Sequence, residues 1–470
     1  MHSGSGVQQK RVVIEILDST LREGEQTRGV SFSIEDKLEI ARLIDDFGVD
    51  FIELGHPSVS RDVRQAVERL AAEPLRAKKL VHARATHSDI DDAVSTGAEW
   101  IGIFLGTSPL SLQHKFHVTQ ERALSMISDA VRHAKDRGLK VRFTPEDATR
   151  TPVPYLIEAI ECAQEAGADR ISIADTVGVM LPTQIKGLIE QIAPFVKVPL
   201  HLHCHNDYGL AVANALAGYE AGVRLIDVAV NGLGERAGIT SLAELVVALK
   251  MHYGVSNDWN LALLPDLSRL VERCSGIFNS ETRPIVGANA FSHKAGLHSR
   301  AVLEDPRTYE AIPPEIVKRE REIVIDKYTG KAAVRARFND MNVTMTEDQL
   351  TQIVEIIKSR PQKRYFSDID LIEIADDVLK LNLRGRVPIE VEAIIQLALT
   401  SSLYTTHVTR KLIARNEVRE VYEITGDFDV VARVTTHSLH ELNETIEEIR
   451  VMEGINRTQT SIILKNYAKN

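Results

Sequence analysis

The chain is poor in cysteine. Cys162, Cys204 and Cys274 are all it has in 470 residues, and they are widely spaced. Three scattered thiols make no disulfide framework, which points to a reducing, cytoplasmic setting. Long apolar runs are missing as well: no stretch of eighteen apolar residues occurs, so no membrane-spanning helix is expected. Residues 1–10 are polar and rich in Gly and Ser, lack the apolar core of a secretion signal, and read as a disordered lead-in. Basic excess is absent too. A formal net charge of -10 denies nucleic acid the broad positive field it needs. No G-x-G-x-x-G follows the first apolar run, which argues against a dinucleotide-binding open sheet.

What is present is the composition of a soluble globular protein, 44% hydrophobic and 26% charged, in a chain too long for one ordinary domain. Short apolar runs alternate with amphipathic stretches eight times between residues 11 and 260. The runs are Val12–Leu17, Phe51–Gly55, Leu80–Ala83, Trp100–Leu105, Lys140–Thr144, Arg170–Ala174, Val198–His203 and Leu225–Ala229. Helical patterns such as Ile34–Phe47 and Gln120–Asp136 fill the gaps, and Gly48, Gly138, Gly167 and Gly222 stand where C-caps belong. Eight βα units over roughly 240 residues predict an α/β fold, a (β/α)8 barrel. Residues 261–384 change style to helices and Pro-marked loops and read as connector subdomains. Residues 385–470 read as a small α+β module: a helix from Glu390, strands near Val418–Thr425 and Val430–Thr435, a helix Ser438–Val451 and a strand Thr458–Leu464.

A barrel places its chemistry at the C-terminal ends of its strands. There the sequence carries Asp18, Arg22 and Glu23 after strand one, His82 on strand three, Arg142 and Thr144 on strand five with Glu146 after them, Thr176 after strand six, and His203 and His205 on strand seven. Residues two apart on a strand point the same way, so His203 and His205 can offer two imidazoles to one ion, while Cys204 faces away as a buried thiol. A third ligand must be an oxygen; Glu23 is the first candidate and Asp18 the alternative. Such a site admits zinc, manganese, cobalt or magnesium and leaves positions open for a substrate. Arg22 suits a developing oxyanion. His82 and Arg142 can hold a distal carboxylate, and Thr144 and Thr176 a carboxylate nearer the metal. Glu146 and the distant His293 can act as a base or base-orienting pair. Gly232 and Gly234 read as a tight turn, with a phosphate cradle as the weaker alternative.

Ser19-Thr-Leu-Arg-Glu-Gly-Glu-Gln26 and His203-Cys-His-Asn-Asp-Tyr-Gly-Leu-Ala-Val-Ala-Asn-Ala215 resemble the two signatures of the acetyl-CoA-dependent 2-oxoacid synthases. That family of DRE-TIM metallolyases includes homocitrate, isopropylmalate and citramalate synthases. The resemblance spans roughly residues 11 to 380 and implies Claisen condensation of acetyl-CoA with a 2-oxoacid, followed by thioester hydrolysis. It implies Glu23, His203 and His205 as metal ligands, with Asp18 supporting them. Arg22 would hold the ketone oxygen, and Gln26, His82, Arg142, Thr144 and Thr176 would bind substrate. It implies that His293 and Tyr309 enter a neighbouring subunit's barrel, where His293 works with Glu146, so that the active unit is a homodimer. The Arg142-Phe-Thr-x-Glu-Asp147 form is similar to the homocitrate synthases of lysine biosynthesis, which implies 2-oxoglutarate as substrate. A 2-isopropylmalate, citramalate, citrate or 2-phosphonomethylmalate synthase is the alternative within the family.

Gly426-Asp-Phe-Asp429 and Gly454-Ile-x-Arg-Thr-x-Thr460 resemble the amino-acid-binding module of Lrp-type regulators. This implies an allosteric effector at the C-terminal domain, lysine if the product is homocitrate. From other classes, a non-catalytic sensor with a dead barrel is opposed by the intact Arg22, Glu23, His203, His205, His293 and Tyr309, and a lyase running the reverse cleavage fits a regulated tail less well.

Overall fold

Each of the eight apolar runs forms a parallel strand, and the eight close on themselves in sequence order, β1 pairing with both β2 and β8. They are β1 Glu15–Asp18, β2 Phe51–Glu53, β3 Lys78–Arg84, β4 Trp100–Gly106, β5 Lys140–Glu146, β6 Arg170–Asp175, β7 Leu200–Cys204 and β8 Leu225–Val228. The computed structural model describes residues 13–463, except 295, 364, 384–390, 402–404 and 437–438; the lead-in expected over residues 1–10 lies outside the described residues. β6 and β8 are buried at every position, as barrel strands are when helices cover one face and packed side chains the other. The helix Ile34–Phe47 shows how the local sequence sets its limits. Ser33 and Asp36 form a capping box at its start, and Gly48 ends it at φ 101°, a conformation that suits glycine.

The barrel floor is a plug of Leu17, Phe51, Leu80, Trp100 and Leu225. Phe51 meets Trp100 edge-on at 5.3 Å, and the Arg170 guanidinium lies over both rings at 5.2 and 5.6 Å. This seals the N-terminal end. Higher up, Gly102 on β4 makes room for a charge. A Cβ there would stand 2.6 Å from Arg142 Nη2 and 3.1 Å from Leu80 Cδ2. Gly102→Ala should therefore displace the Arg142 guanidinium. We expect a stability loss of about 1–3 kcal/mol from overpacking, read by thermal melting. An unchanged Tm would mean that the barrel takes up the added methyl without strain on Arg142 or Leu80.

The barrel's compact unit runs beyond residue 260, to Ala290, and includes Pro314–Arg319. The amphipathic helix Leu264–Ser275 packs against Ile34–Phe47 and so belongs with the barrel. The second unit takes Phe291–Pro313 and the chain from Glu320 onward. In it β9 (Ser292–His293) and β10 (Glu322–Ile323) form a short parallel pair. Helices Lys331–Asp340, Glu347–Ser359 and Asp368–Leu379 pack around Val334, Phe338, Leu350, Ile353, Ile357 and Leu371. A four-stranded sheet follows, in the order β12-β13-β11-β14, made of β11 Val391–Leu399, β12 Val418–Glu423, β13 Val430–Thr436 and β14 Ile455–Ile462. Helices Thr405–Ile413 and Leu439–Arg450 pack on it through Val408, Leu412, Leu442 and Ile449.

The helix expected from Glu390 is corrected here. Glu390 lies outside the described residues, and Val391–Leu399 is a strand. Val391, Ala393, Ile395 and Leu397 are buried while their neighbours are less so, the period of two that a sheet with one covered face requires.

Candidate active site

His203 and His205 stand at the end of β7 with their Nε2 atoms 3.2 Å apart, and Glu23 Oε1 lies 3.9 Å from His205 Nε2. The ligand atoms of the three residues all fall within 4.8 Å of one another, and all three are buried. Asp227, in the middle of β8, sets the orientation. His203 Nδ1 donates to Asp227 Oδ2 at 2.8 Å, which leaves the Nε2 lone pair for an ion. Asp227 Oδ1 meets His201 Nε2 at 2.6 Å. Burial would raise the Asp227 carboxyl, but His201, His203 and Arg142 outweigh it and hold it well below the usual carboxylate range. Burial would also raise Glu23; Arg22, then His203 and His205, bring it down to about 2. Burial, reinforced by His203, pushes His205 down to about 3. An ionised carboxylate with two imidazoles, one steered by a carboxylate behind it, suits a divalent ion. Asp18 is not in this set. It is fully buried, accepts from the Thr20 N–H at 2.8 Å, and is raised to about 7 by burial.

Arg22 is held beside the triad. Its Nε and Nη2 each lie 2.7 Å from Glu53 Oε2, and its Nη1 meets Glu23. Glu53, at the end of β2 and fully buried, also accepts from Ser19 Oγ at 2.5 Å and Arg142 Nη2 at 3.0 Å, and meets His82 Nδ1 at 3.1 Å. Burial opposes its charge, but Arg22 and Arg142 keep the carboxyl well below its ordinary value. His82 stacks on Phe104 at 4.6 Å and is pushed by burial, then Arg22, down to about 4.

Above these groups opens a cleft of about 250 Å³. Arg22, Glu23, Gln26, His82, Arg142, Thr144, Glu146, Thr176, His203 and His205, all expected from the sequence, line it. Glu146 is bound to Lys115 Nζ by both oxygens at 2.8 Å, and Thr176 Oγ1 accepts from the Asp147 N–H at 2.9 Å. The glycines after β8 form a tight turn that serves the site: Gly234 N–H donates to Thr27 Oγ1 at 2.9 Å, and Glu235 N–H to Glu23 Oε1 at 3.3 Å. His293 and Tyr309 belong to the second unit. There the carboxylate partner of His293 is Glu310, at 3.1 Å from its Nε2, itself held by Arg321. Tyr309 is half exposed and stacks on His298 at 4.1 Å.

Sequence reasoning missed Glu53, Asp227, Ser172, Lys115 and Glu310. For Glu53 and Asp227 a signal existed: a lone carboxylate inside an apolar strand is costly unless partnered, so each implied buried cations nearby.

The buried histidines make a pH prediction. His82 and His201 are pushed down to about 4 and His205 to about 3, in each case chiefly by burial, against about 6.5 in an unfolded chain. Between these values the unfolded chain binds protons that the folded one refuses, so stability is full above pH 6.5 and falls toward pH 4. Asp18, raised to about 7, runs the other way and offsets about one of the three histidines, which leaves a net fall. Thermal melting of the metal-free protein should show a flat Tm above pH 7 and a steady fall from 6.5 to 4; a Tm that rises on acidification would contradict this.

Comparison with known proteins gives the lineage. An HMGL-like family profile matches residues 13–271. One described as homocitrate synthase post-HMGL domain-like matches 285–365, and an Lrp/AsnC ligand binding domain matches 392–470. The homocitrate synthase of Sulfurisphaera tokodaii is 46% identical over 457 residues, covering 96% of this chain and 99% of its own. That of Sulfolobus acidocaldarius is 44% identical, covering 96% and 97%. Among solved structures, a Bacillus subtilis HMG-CoA lyase superposes with a TM-score of 0.52 at 19% identity, over 57% of this chain and 95% of the lyase, a likeness of fold. Identity sustained across all three regions, and not over the barrel alone, means that the chain belongs to the homocitrate synthase family.

Proposed function

We propose that this chain condenses acetyl-CoA with 2-oxoglutarate and hydrolyses the thioester to give homocitrate and free CoA, the entry reaction of lysine synthesis through 2-aminoadipate. The observation that carries the reading is one cleft in which a three-ligand metal site faces the Arg142 guanidinium, with the His82 imidazole beside it. Relatives at 44–46% identity over nearly the whole chain support it. Glu23, His203 and His205 would hold a divalent ion, which when bound polarises the 2-oxo carbonyl. Arg22, fixed by Glu53, donates to the oxygen as it becomes an alkoxide. Gln26 and Thr176 hold the carboxylate beside the carbonyl. Arg142, Thr144 and His82 take the distal one; an apolar branched tail would leave this charge poorly solvated.

The base is the His293 imidazole. With Nε2–H donated to Glu310, Nδ1 takes a proton from the acetyl methyl. The resulting carbanion forms the C–C bond at C2, the alkoxide is protonated, and water cleaves the thioester to release the CoA thiol. We assign Glu146 to this proton transfer, with Lys115 holding it, and Tyr309 to the same site. We further propose that His293 and Tyr309 act in the barrel of a neighbouring subunit, so that the enzyme is a homodimer, and that the C-terminal domain binds lysine as an inhibitor.

Thiol release from acetyl-CoA, with and without divalent metal, across a panel of 2-oxoacids tests the reading. Turnover should require metal, favour 2-oxoglutarate and fall when lysine is added; equal turnover with 2-oxoisovalerate would overturn the substrate assignment. Subunit sharing has its own test. Glu23→Ala and His293→Ala chains, each inactive, should recover roughly a quarter of wild-type activity when mixed under subunit exchange, since half the dimers are mixed and each carries one intact site. No recovery would mean that each chain completes its own site.

A further inference from the structure

The deep end of the cleft holds polar atoms with nothing to bond. Among the described residues, Arg142 Nε and Nη1, Thr144 Oγ1 and Ser172 Oγ are buried without a hydrogen-bond partner, and all three residues line the cleft. Ser172 is only 1% exposed. A serine on a buried strand ordinarily satisfies its hydroxyl on a nearby carbonyl or side chain, and one left unpaired lowers stability. Such an atom at the closed end of a cavity is explained if a ligand completes it.

The strand register says which part of the ligand reaches it. On β6, Ala174 pairs with the metal-ligand candidate His203 and Ser172 pairs with His201, one side-chain repeat deeper. Side chains two apart share a face, so Ser172 lies below Ala174 on the same wall, about 6–7 Å down the strand. On the adjoining wall Thr144 stands above Arg142 in the same way. A 2-oxoacid with its head at the Glu23–His203–His205 level projects its tail toward Ser172 and the Arg142 nitrogens that make no hydrogen bond. A hydroxyl donor beside a guanidinium with free N–H groups suits a carboxylate and leaves an aliphatic tail with unmet donors.

We propose that Ser172 is a specificity-determining residue whose Oγ–H donates to the distal carboxylate of the 2-oxo diacid beside Arg142. This rests on the proposed function and adds a ligand that neither sequence motif contains. Ser172→Ala is the test, with Ser172→Cys as the near-isosteric weaker donor. KM for 2-oxoglutarate should rise about tenfold or more in Ser172→Ala and by less in Ser172→Cys, with kcat within about twofold of wild type. The Tm of free Ser172→Ala should equal or exceed that of wild type, because an unsatisfied hydroxyl has been removed, while the Tm rise on adding 2-oxoglutarate shrinks. A merely structural serine would instead lower the Tm of the free protein and leave KM alone; that result overturns the assignment. If wild type is selective for 2-oxoglutarate and KM is unchanged in Ser172→Ala, this inference alone falls. If wild type prefers a branched monocarboxylic 2-oxoacid, the proposed function falls and takes it along.

Discussion

Glu53→Ala is expected to cost about 3–5 kcal/mol of stability and to reduce turnover to a trace. No residue of the two signature motifs should match it in stability, because Glu53 is the fully buried counter-charge for a whole layer of the barrel. Arg22, Arg142, His82 and Ser19 all reach its two oxygens. Removing it leaves the side chains of Arg22, 10% exposed, and Arg142, 3% exposed, without their main compensation, and an unpaired buried charge is much more costly than a missing pair. Among the described residues, Arg142 then retains Asp227, at 3.7 Å, as its carboxylate partner. The loss of activity follows from geometry: Arg22 would no longer be aimed, and its remaining carboxylate is the proposed metal ligand Glu23. Glu53→Gln separates the two effects. It keeps the shape and some hydrogen bonds while deleting the charge, so it should recover part of the stability and little of the activity. Urea unfolding with parallel kcat measurements decides; a Glu53→Ala protein within 1 kcal/mol and tenfold of wild type would show that the guanidiniums do not depend on it.

That Glu53 escaped sequence reading, while His203 and His205 did not, has a physical cause. Two histidines at the period of a strand, beside Asn206 and Asp207, are polar where a barrel strand ends, and the barrel itself is legible from eight apolar runs alternating with capped helices. Glu53 and Asp227 each occupy one place in an apolar run, and their roles depend on partners 24 to 89 residues away. Lys115 is similarly hidden. It reaches Glu146 across 31 residues from the short π-helical segment Leu112–Phe116, whose pattern carries no signal. The misread strand Val391–Leu399 failed for the opposite reason. Adjacent Ile394 and Ile395 interrupt the alternation, and Val391, Ile394, Ile395 and Ala398 mimic helical spacing; pairing with β13 and β14 on both sides overrides that local pattern.

Glu23→Gln should remove metal-dependent activity while leaving the fold intact, lowering kcat by about 10³-fold or more. The variant differs from Glu53→Ala in one respect that makes it diagnostic. Arg22 keeps both its contacts to Glu53, so the ionic layer beneath the site persists and the protein without metal should melt close to wild type. What is lost is the anionic donor facing the two imidazoles, and with it the linkage between metal and stability. A ligand present at a hundred times its dissociation constant stabilises the native state by about 2.7 kcal/mol. Chelator-treated wild type should therefore gain Tm when zinc, manganese, cobalt or magnesium is restored, whereas Glu23→Gln should gain little. Asp227→Asn should fall between them. It leaves all three ligands in place but weakens the acceptor that orients His203, a change that typically costs about 10–100-fold in metal affinity. A Glu23→Gln protein that keeps both its metal-induced Tm shift and its turnover would assign the oxygen ligand elsewhere. A protein that loses turnover yet keeps the shift would assign Glu23 to orienting Arg22, through the contact the two side chains already share.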